Sequence, residues 1–406
     1  MDILRGLFGI ISILGIAFLM SNNRKAINYR LVGSGLGLQL TLALFILKTS
    51  IGQKIFKGIG NAITGTIDAY KAGTGFVFGP LANEEIMTGK GMWVPFFIIL
   101  TGSIIFVCVL VAILYQLGVM QRIVAVLAKG MHAIMRASGS ETLSNVASAF
   151  VGQVEAQIMI KPYLAGMTKS ELLASMAGSM ACISGGVMVI YMNTFHIPAP
   201  ELLAASLMAA PGALVIAKIV YPETEVSQTQ GEVKLAVEKP YANMIDAISH
   251  ACSDGLKISL NVIAMLIGFL ALIKMVDLGL GLINPTLTLA KILGYVFAGF
   301  AFLMGIDTNE ILRAGEFLGT KFVANEFIAY DNFSKVMTTF SPKTVTILTI
   351  ALCGFANLGS VGIQIGGIGE LAPSRRLELT QLGFKALICG TLASYLSATI
   401  AGMLQF

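Results

Sequence analysis

Charged residues are scarce in this chain of 406 residues. Asp, Glu, Lys and Arg make up 12% of it, whereas soluble domains carry about 25%. Hydrophobic residues make up 56%, and the mean hydropathy is +0.82. A soluble fold could not cover so much apolar surface, because its exterior still needs polar groups. A lipid-facing exterior removes that conflict, so the composition indicates an all-α polytopic membrane protein.

Several kinds of chemistry lack their usual residues. The three histidines (His132, His196, His250) are far apart, and the five cysteines are scattered without a CxxC pair. This argues against metal and disulfide sites. The sequence contains no GxSxG elbow, no Walker A motif and no GxGxxG opening a helix. The net charge of +5 comes from Lys and Arg between apolar runs, which indicates loop topology rather than nucleic-acid binding.

Eight apolar stretches are long enough to cross a bilayer, which takes about 20 residues. They are residues 3–21, 30–48, 92–117, 170–193, 199–220, 256–276, 344–368 and 381–404. The first is interpreted as a retained helix rather than a signal peptide. Lys and Arg between the stretches predict that both termini lie outside, in a plasma membrane of bacterial inner-membrane type. Residues 50–80 are amphipathic and rich in glycine, which predicts a helix at the membrane interface.

Two regions, residues 121–165 and 286–335, alternate apolar pieces with Gly, Ser and charge. Each is too polar to cross alone, and such a pattern is typical of re-entrant hairpins. One region follows the third apolar stretch and the other follows the sixth, and two further apolar stretches come after each. The chain therefore divides into two similar halves, which by the Lys and Arg count begin on opposite sides of the membrane. This inverted repeat predicts a binding site where the interrupted segments meet. The predicted parts are 1–91 (scaffold), 92–222 (first half), 223–243 (cytoplasmic loop) and 244–406 (second half).

The hairpin regions each contain a carboxylate beside an amide. Gln153 and Glu155 could bind the edge of a planar heterocycle, and Asn325 with Glu326 suits a ligand with several hydroxyls. Ionisable groups at membrane depth are costly, so a functional interpretation is favoured. The alternatives are a hairpin end near water for Glu155 and a stabilising pair with Lys321 for Glu326.

Glycine is dense in the seventh apolar stretch. Gly354, Gly359 and four more glycines up to residue 369 argue against a regular helix and predict a discontinuous one. Asn357 and Ser360 are three residues apart and would share a helix face. Close packing through small residues explains the pattern equally well. The similar run at residues 180–187, taken alone, is interpreted as such packing.

Five ordered motifs resemble the concentrative nucleoside transporters in their shorter prokaryotic form, over nearly the whole chain. They are GQVEA (152–156), ISGGV (183–187), NVIAMLIGFLALI (261–273), GTKFVANEFIAY (319–330) and GFANLGSVGIQIGGIG (354–369). The resemblance implies eight spans, two re-entrant hairpins, an interfacial helix and a homotrimer. It also implies cation symport of nucleosides by an elevator-like movement, without an enzymatic activity or a cofactor beyond the coupling ion.

The resemblance implies the roles of particular residues. The nucleobase would face Gln153, Val154, Glu155 and Val187. The ribose would be held by Glu326, Asn357 and Ser360, with Phe355 nearby. The family's sodium site falls on Ser148, Val151, Cys182 and Ile183.

This chain departs from the family pattern at several of these positions. It has Val154 where the family often has Thr or Ser, and Gln157 where Pro is frequent. Ser148 and Cys182 replace the family's Asn and its Ser or Thr. Because Na⁺ prefers hard oxygen ligands, coupling to Na⁺ and coupling to H⁺ both remain open. Two further functions also stay open: transport of another small polar solute, such as a nucleobase or modified nucleoside, and a membrane-embedded enzyme.

Overall fold

The computed structural model describes residues 2–64, 67–89, 92, 94–229 and 241–405. All regular secondary structure in these ranges is helical. Much of the predicted cytoplasmic loop 223–243 lies outside the described residues, as do residues 65 and 66 of the predicted interfacial helix. The rest of that predicted helix is helical on both sides of them.

The helices before the first half are α1 (Asp2–Leu19), α2 (Tyr29–Lys48), α3 (Ser50–Thr64), α4 (Ile67–Phe78) and α5 (Glu84–Gly89). Those of the first half are α6 (Phe96–Gln116), α7 (Val119–Met135), α8 (Gly139–Ser148), α9 (Glu155–Ile158), α10 (Lys161–Leu164), α11 (Lys169–Ala181), α12 (Gly185–Thr194) and α13 (Ala199–Val220). Those of the second half are α14 (Met244–Ile283), α15 (Leu289–Leu303), α16 (Ile311–Val323), α17 (Glu326–Ser334), α18 (Pro342–Leu352), α19 (Leu358–Leu371) and α20 (Arg376–Met403).

Five helical stretches are long and apolar enough to cross a membrane by length and composition. They are Tyr29–Lys48, Phe97–Gln116, Lys169–Thr194, Ala199–Val220 and Pro373–Met403. Three of the eight predicted spans are absent from this set. The first and seventh correspond to shorter apolar helices, α1 and α18, and the sixth lies within the 40-residue α14. The exact count of eight spans therefore stays a prediction.

The predicted discontinuity of the seventh span is present, although its cause differs from the prediction. Residues 353–357 separate α18 from α19, and Asn357 caps α19 by accepting the Ser360 N–H at 2.9 Å. The later glycines lie inside the regular helix α19. Only Gly354 has a positive φ here, +125°.

The fourth span is also broken, which its small residues alone did not predict. Cys182 ends α11, and Ser184 caps α12 by accepting the Val187 N–H at 3.3 Å. A side-chain cap lets a new helix start at once, because it satisfies a backbone donor that the first turn leaves free.

Helices α13 and α20 form the buried centre, where α11, α18 and α19 pack on α20, and α11 and α18 also pack on α13. The close approaches occur at glycines. A Cβ on Gly390 of α20 would lie 2.8 Å from the Met180 side chain of α11. Helices α6 and α14 instead pack mainly on each other, and a Cβ on Gly255 would lie 2.7 Å from Ile105 Cα. The chain thus has a central body and a helix pair, and α6 of the pair contacts α12 and α7.

Candidate functional site

The breaks of the two interrupted helices lie directly against each other. The Phe355 N–H donates to the Cys182 carbonyl at 3.1 Å, and a Cβ on Gly354 would lie 2.5 Å from the Ala181 carbonyl oxygen. Ser394 of α20 donates to the Cys353 carbonyl at 3.2 Å. Glycine is required at position 354 both by its φ and by this contact. The fold thus brings the irregular backbone of both breaks to one point.

Glu326 is the first residue of α17 and is buried beside this point. Its two carboxylate oxygens accept hydrogen bonds from Tyr191 Oη at 3.0 Å and from Asn357 Nδ2 at 3.1 Å. The amide beside this carboxylate is therefore that of Asn357. The expected partner Asn325 instead caps α17 by accepting the Ile328 N–H at 2.9 Å. Lys321 forms no ion pair with Glu326; its Nζ donates to backbone carbonyls instead.

Gln153 reaches the same place from the first hairpin. Its Nε2 donates to Ser360 Oγ at 3.5 Å, and its Oε1 accepts from Gln364 Nε2 at 3.4 Å. Both distances are long for hydrogen bonds, so these contacts hold Gln153 weakly. Gln364 is anchored by a further bond to the Met176 carbonyl at 3.2 Å. The structure therefore joins Gln153, Ser360, Asn357 and Glu326 in one buried polar chain.

Three predicted base-facing residues lie at the edge of this chain. Glu155 is exposed, and its carboxylate folds back toward Gly152, where a Cβ would meet it at 2.0 Å. Val154 packs on Gly367 of α19. Val187 is half-buried in the first turn of α12, and Phe355 is half-buried at the break.

The four predicted cation ligands all lie near the break of α11 and α12. Ser148 is the last residue of α8, and its Oγ donates to the Ser144 carbonyl at 2.8 Å and lies 2.9 Å from Ser179 Oγ. Cys182 points its thiol at the Ser206 carbonyl, 3.7 Å away. Both side chains are buried, as are Val151 and Ile183.

The side chain of Gln157 fills the space between α8 and α11 beside the predicted cation ligands. It is completely buried, its Nε2 donates to Ser179 Oγ at 2.8 Å and to Ser144 Oγ at 3.1 Å, and its Oε1 accepts from Ser175 Oγ at 2.7 Å. A glutamine at the position where the family often has proline thus ties α9 to α8 and α11. The hydroxyl of Ser148 belongs to the same network.

Sequence reasoning missed three residues of the site. Tyr191 and Gln364 lie within apolar helices, and nothing in their local pattern marks them. Lys321 was considered only as a partner of Glu326. The sequence signal that could have identified Tyr191 and Gln364 is a polar side chain within an apolar helix. That signal indicates a binding site only when the residue that hydrogen-bonds to the side chain is also known.

Comparison with known proteins identifies the family. Residues 201–402 match the family described as "Na+ dependent nucleoside transporter C-terminus", residues 8–81 its N-terminus, and residues 97–198 the family described as "Gate: Nucleoside recognition". The transporter YutK of Bacillus subtilis is 42% identical, over 99% of this chain and 100% of its own. The nucleoside permease NupC of Helicobacter pylori is 37% identical, over 96% and 94%.

A solved structure shares the fold. The structure of CNTnw in an inward-facing substrate-bound state has a TM-score of 0.92 and 37% identity, and the match covers 99% of this chain and 98% of that one. An all-helical body with two interrupted helices meeting at a buried polar site defines a membrane transporter. The chain belongs to the concentrative nucleoside transporter family. The family resemblance found in the sequence is thereby confirmed.

Proposed function

We propose that this protein imports nucleosides by cation symport, through an elevator-type alternating-access movement. The observation that carries the proposal is the buried pair of Glu326 and Asn357 at the meeting point of the two breaks. A carboxylate that accepts and an amide that both donates and accepts match the vicinal hydroxyls of a ribose. Ser360 joins them at the ribose end, beside Phe355, and Gln153 offers a donor and an acceptor to the nucleobase.

The base end is assigned to the first hairpin and α12. Gln153, Val154 and Val187 line it, and Glu155 closes it toward the helix pair. The chain's valine at position 154 offers the base an apolar contact where a hydroxyl is frequent in the family. Competition of labelled uridine uptake by free bases, ribose and whole nucleosides tests this assignment. Equal competition by a free base and its nucleoside would favour the alternative, a nucleobase transporter.

The distribution of the site supports an elevator movement. Every residue that we assign to the nucleoside lies on the central body formed around α13 and α20, and none on the α6–α14 pair. The body can therefore carry the whole site across the membrane while that pair stays fixed in a scaffold. Cysteines that link α6 to the central body should trap one state and stop uptake, whereas links within the body should not.

Coupling to Na⁺ and coupling to H⁺ make different demands on the site. The family description names Na⁺, and the carbonyls of Val151 and Ile183 with the Ser148 hydroxyl would supply oxygen ligands. Proton coupling is favoured by a specific observation. The Ser148 hydroxyl is already engaged with Ser144 and Ser179, and position 182 offers a thiol, which suits Na⁺ poorly.

Proteoliposomes containing the purified protein separate the two ions. Uptake of labelled uridine and adenosine is measured with a Na⁺ gradient and with a H⁺ gradient imposed in turn. Uptake that persists without Na⁺ and collapses with an uncoupler excludes Na⁺ coupling. The double variant Ser148→Asn, Cys182→Ser restores the family's oxygen ligands and should strengthen the dependence on Na⁺ at least about tenfold. An unchanged Na⁺ dependence contradicts the position of the cation site.

The assembly and placement are part of the same proposal. The protein forms a homotrimer in a bacterial inner membrane, with both termini outside. The surface of α14 supports the placement in a membrane and the trimer, because this helix exposes many large apolar side chains that lipid or another copy of the chain must cover. Native mass spectrometry of protein extracted in mild detergent measures the copy number, and a monomer at all concentrations contradicts the trimer.

A further inference from the structure

The two halves of the chain build the same arrangement around their broken helices. In each, a hairpin helix ends beside a membrane-spanning helix that stops at a cysteine: α8 beside α11, which ends at Cys182, and α16 beside α18, which ends at Cys353. In each, a capping residue then starts the second segment. The halves can therefore be compared position by position at the break.

Lys321 lies at this place in the second half. It is on the last turn of α16 and only 1% exposed. Its Nζ donates to the Ala351 carbonyl at 2.8 Å and approaches the Cys353 carbonyl at 3.5 Å. The last carbonyls of a helix have no intrahelical partner, and the helix dipole makes that end negative. An ammonium group is therefore well stabilised there.

The corresponding end of α11 has only neutral partners among the hydrogen bonds of the described residues. The Cys182 carbonyl accepts from the Phe355 N–H, and the Ala181 carbonyl accepts from Ser394 Oγ at 3.5 Å. The neighbouring hairpin helix ends in Ser148, which is also neutral. The two halves thus share a backbone arrangement and differ by one fixed positive charge.

We propose that the Lys321 ammonium is a built-in cation that occupies, at the second break, the place corresponding to the sodium site proposed at the first. This inference rests on the proposed function for the position of the first site. Lys321 acts as a positioning residue: it fixes the end of α18, and hence the turn that aims Asn357 at Glu326.

Two substitutions of different volume test this. Lys321→Ala removes the charge and leaves space beside the Ala351 and Cys353 carbonyls. Lys321→Met removes the charge but fills most of that space, so it is the matched control. Binding of labelled nucleoside to purified protein is measured at fixed Na⁺, pH and ionic strength, with choline exchanged for K⁺ or ammonium.

In choline, both variants should bind the nucleoside at least about tenfold more weakly than wild type, the effect of losing one hydrogen bond to a charged group. K⁺ or ammonium should restore binding in Lys321→Ala and leave Lys321→Met and the wild type unchanged. Wild-type affinity of Lys321→Ala in choline overturns the proposal. An equal loss of nucleoside affinity in both variants that neither K⁺ nor ammonium restores also overturns the proposal.

The proposal can still be tested if the Lys321→Ala variant folds poorly. If Lys321→Ala is recovered poorly, the fraction of monodisperse protein after extraction in K⁺ or ammonium is compared with that in choline. A gain for Lys321→Ala alone supports the proposal, and no gain contradicts it. A failure of the proposed function is recognised separately, because the wild type would then bind no nucleoside in any of these salts.

Discussion

Replacing Glu326 by glutamine removes a charge from the centre of the site and keeps its shape. In the wild type the carboxylate accepts from Tyr191 at 3.0 Å and from Asn357 at 3.1 Å. A ribose hydroxyl that donates to this carboxylate forms a charge-assisted hydrogen bond, which contributes about 1.5–3 kcal/mol. Its loss in Glu326→Gln should weaken nucleoside binding by roughly 10- to 150-fold.

The assay is equilibrium binding of labelled uridine and of its 2′-deoxy and 3′-deoxy analogues to purified protein. Together with the variant, the analogues form a double-mutant cycle between the side chain and each hydroxyl. The wild type should discriminate against at least one deoxy analogue, and Glu326→Gln should discriminate much less. Thermal unfolding serves as the control for folding, because Gln can still accept from one of the two donors.

Two results would refute this reasoning. The first is unchanged uridine affinity in Glu326→Gln. The second is weaker binding with undiminished discrimination between uridine and both deoxy analogues, which would mean that Glu326 shapes the site without contacting the ribose.

Two further predictions concern stability. Gly354→Ala should destabilise the protein by about 3 kcal/mol or more, because alanine there adopts a disfavoured φ and its Cβ lies 2.5 Å from the Ala181 carbonyl. In thermal unfolding, Gly362→Ala should be neutral or stabilising by up to about 1 kcal/mol, since a Cβ in the middle of α19 meets no atom within 4 Å beyond its own helix turn. Equal stability of the two variants would contradict the packing described here. Lys218→Met should cost about 3–5 kcal/mol, because Lys218 Nζ lies 2.8 Å from the buried Glu141 carboxylate. Adding Glu141→Gln should recover part of that loss, and a double variant as unstable as the two single losses summed would show that the pair is not coupled.

The broad architecture could be predicted from the sequence because lipid imposes simple rules. Long apolar runs with few charges must be helices in a bilayer, since backbone groups have no other partner there. The break in the seventh span was visible because glycine interrupts its apolar pattern; the two re-entrant hairpins, which rest on the same kind of interruption, stay predictions. The family resemblance added the substrate class, which composition and periodicity alone do not specify.

The details of the site depended on caps and on contacts between the halves. Asn325 and Asn357 look alike in sequence, each beginning a helix after a break. Both cap a helix through the side-chain oxygen, yet only the Asn357 amide nitrogen reaches Glu326. The break at Cys182 was missed because small residues there suit close packing equally well.

The sequence by itself determined that the chain is an all-helical membrane protein with interrupted apolar segments, because hydrophobicity and its interruptions are local properties. Only the tertiary structure decided how the polar residues of the site are linked and which further residues join them. Tyr191 and Glu326, 135 positions apart, form a hydrogen bond because the two breaks lie against each other. Lys321 is directed to the end of α18 for the same reason, since its backbone partners exist only where that helix stops.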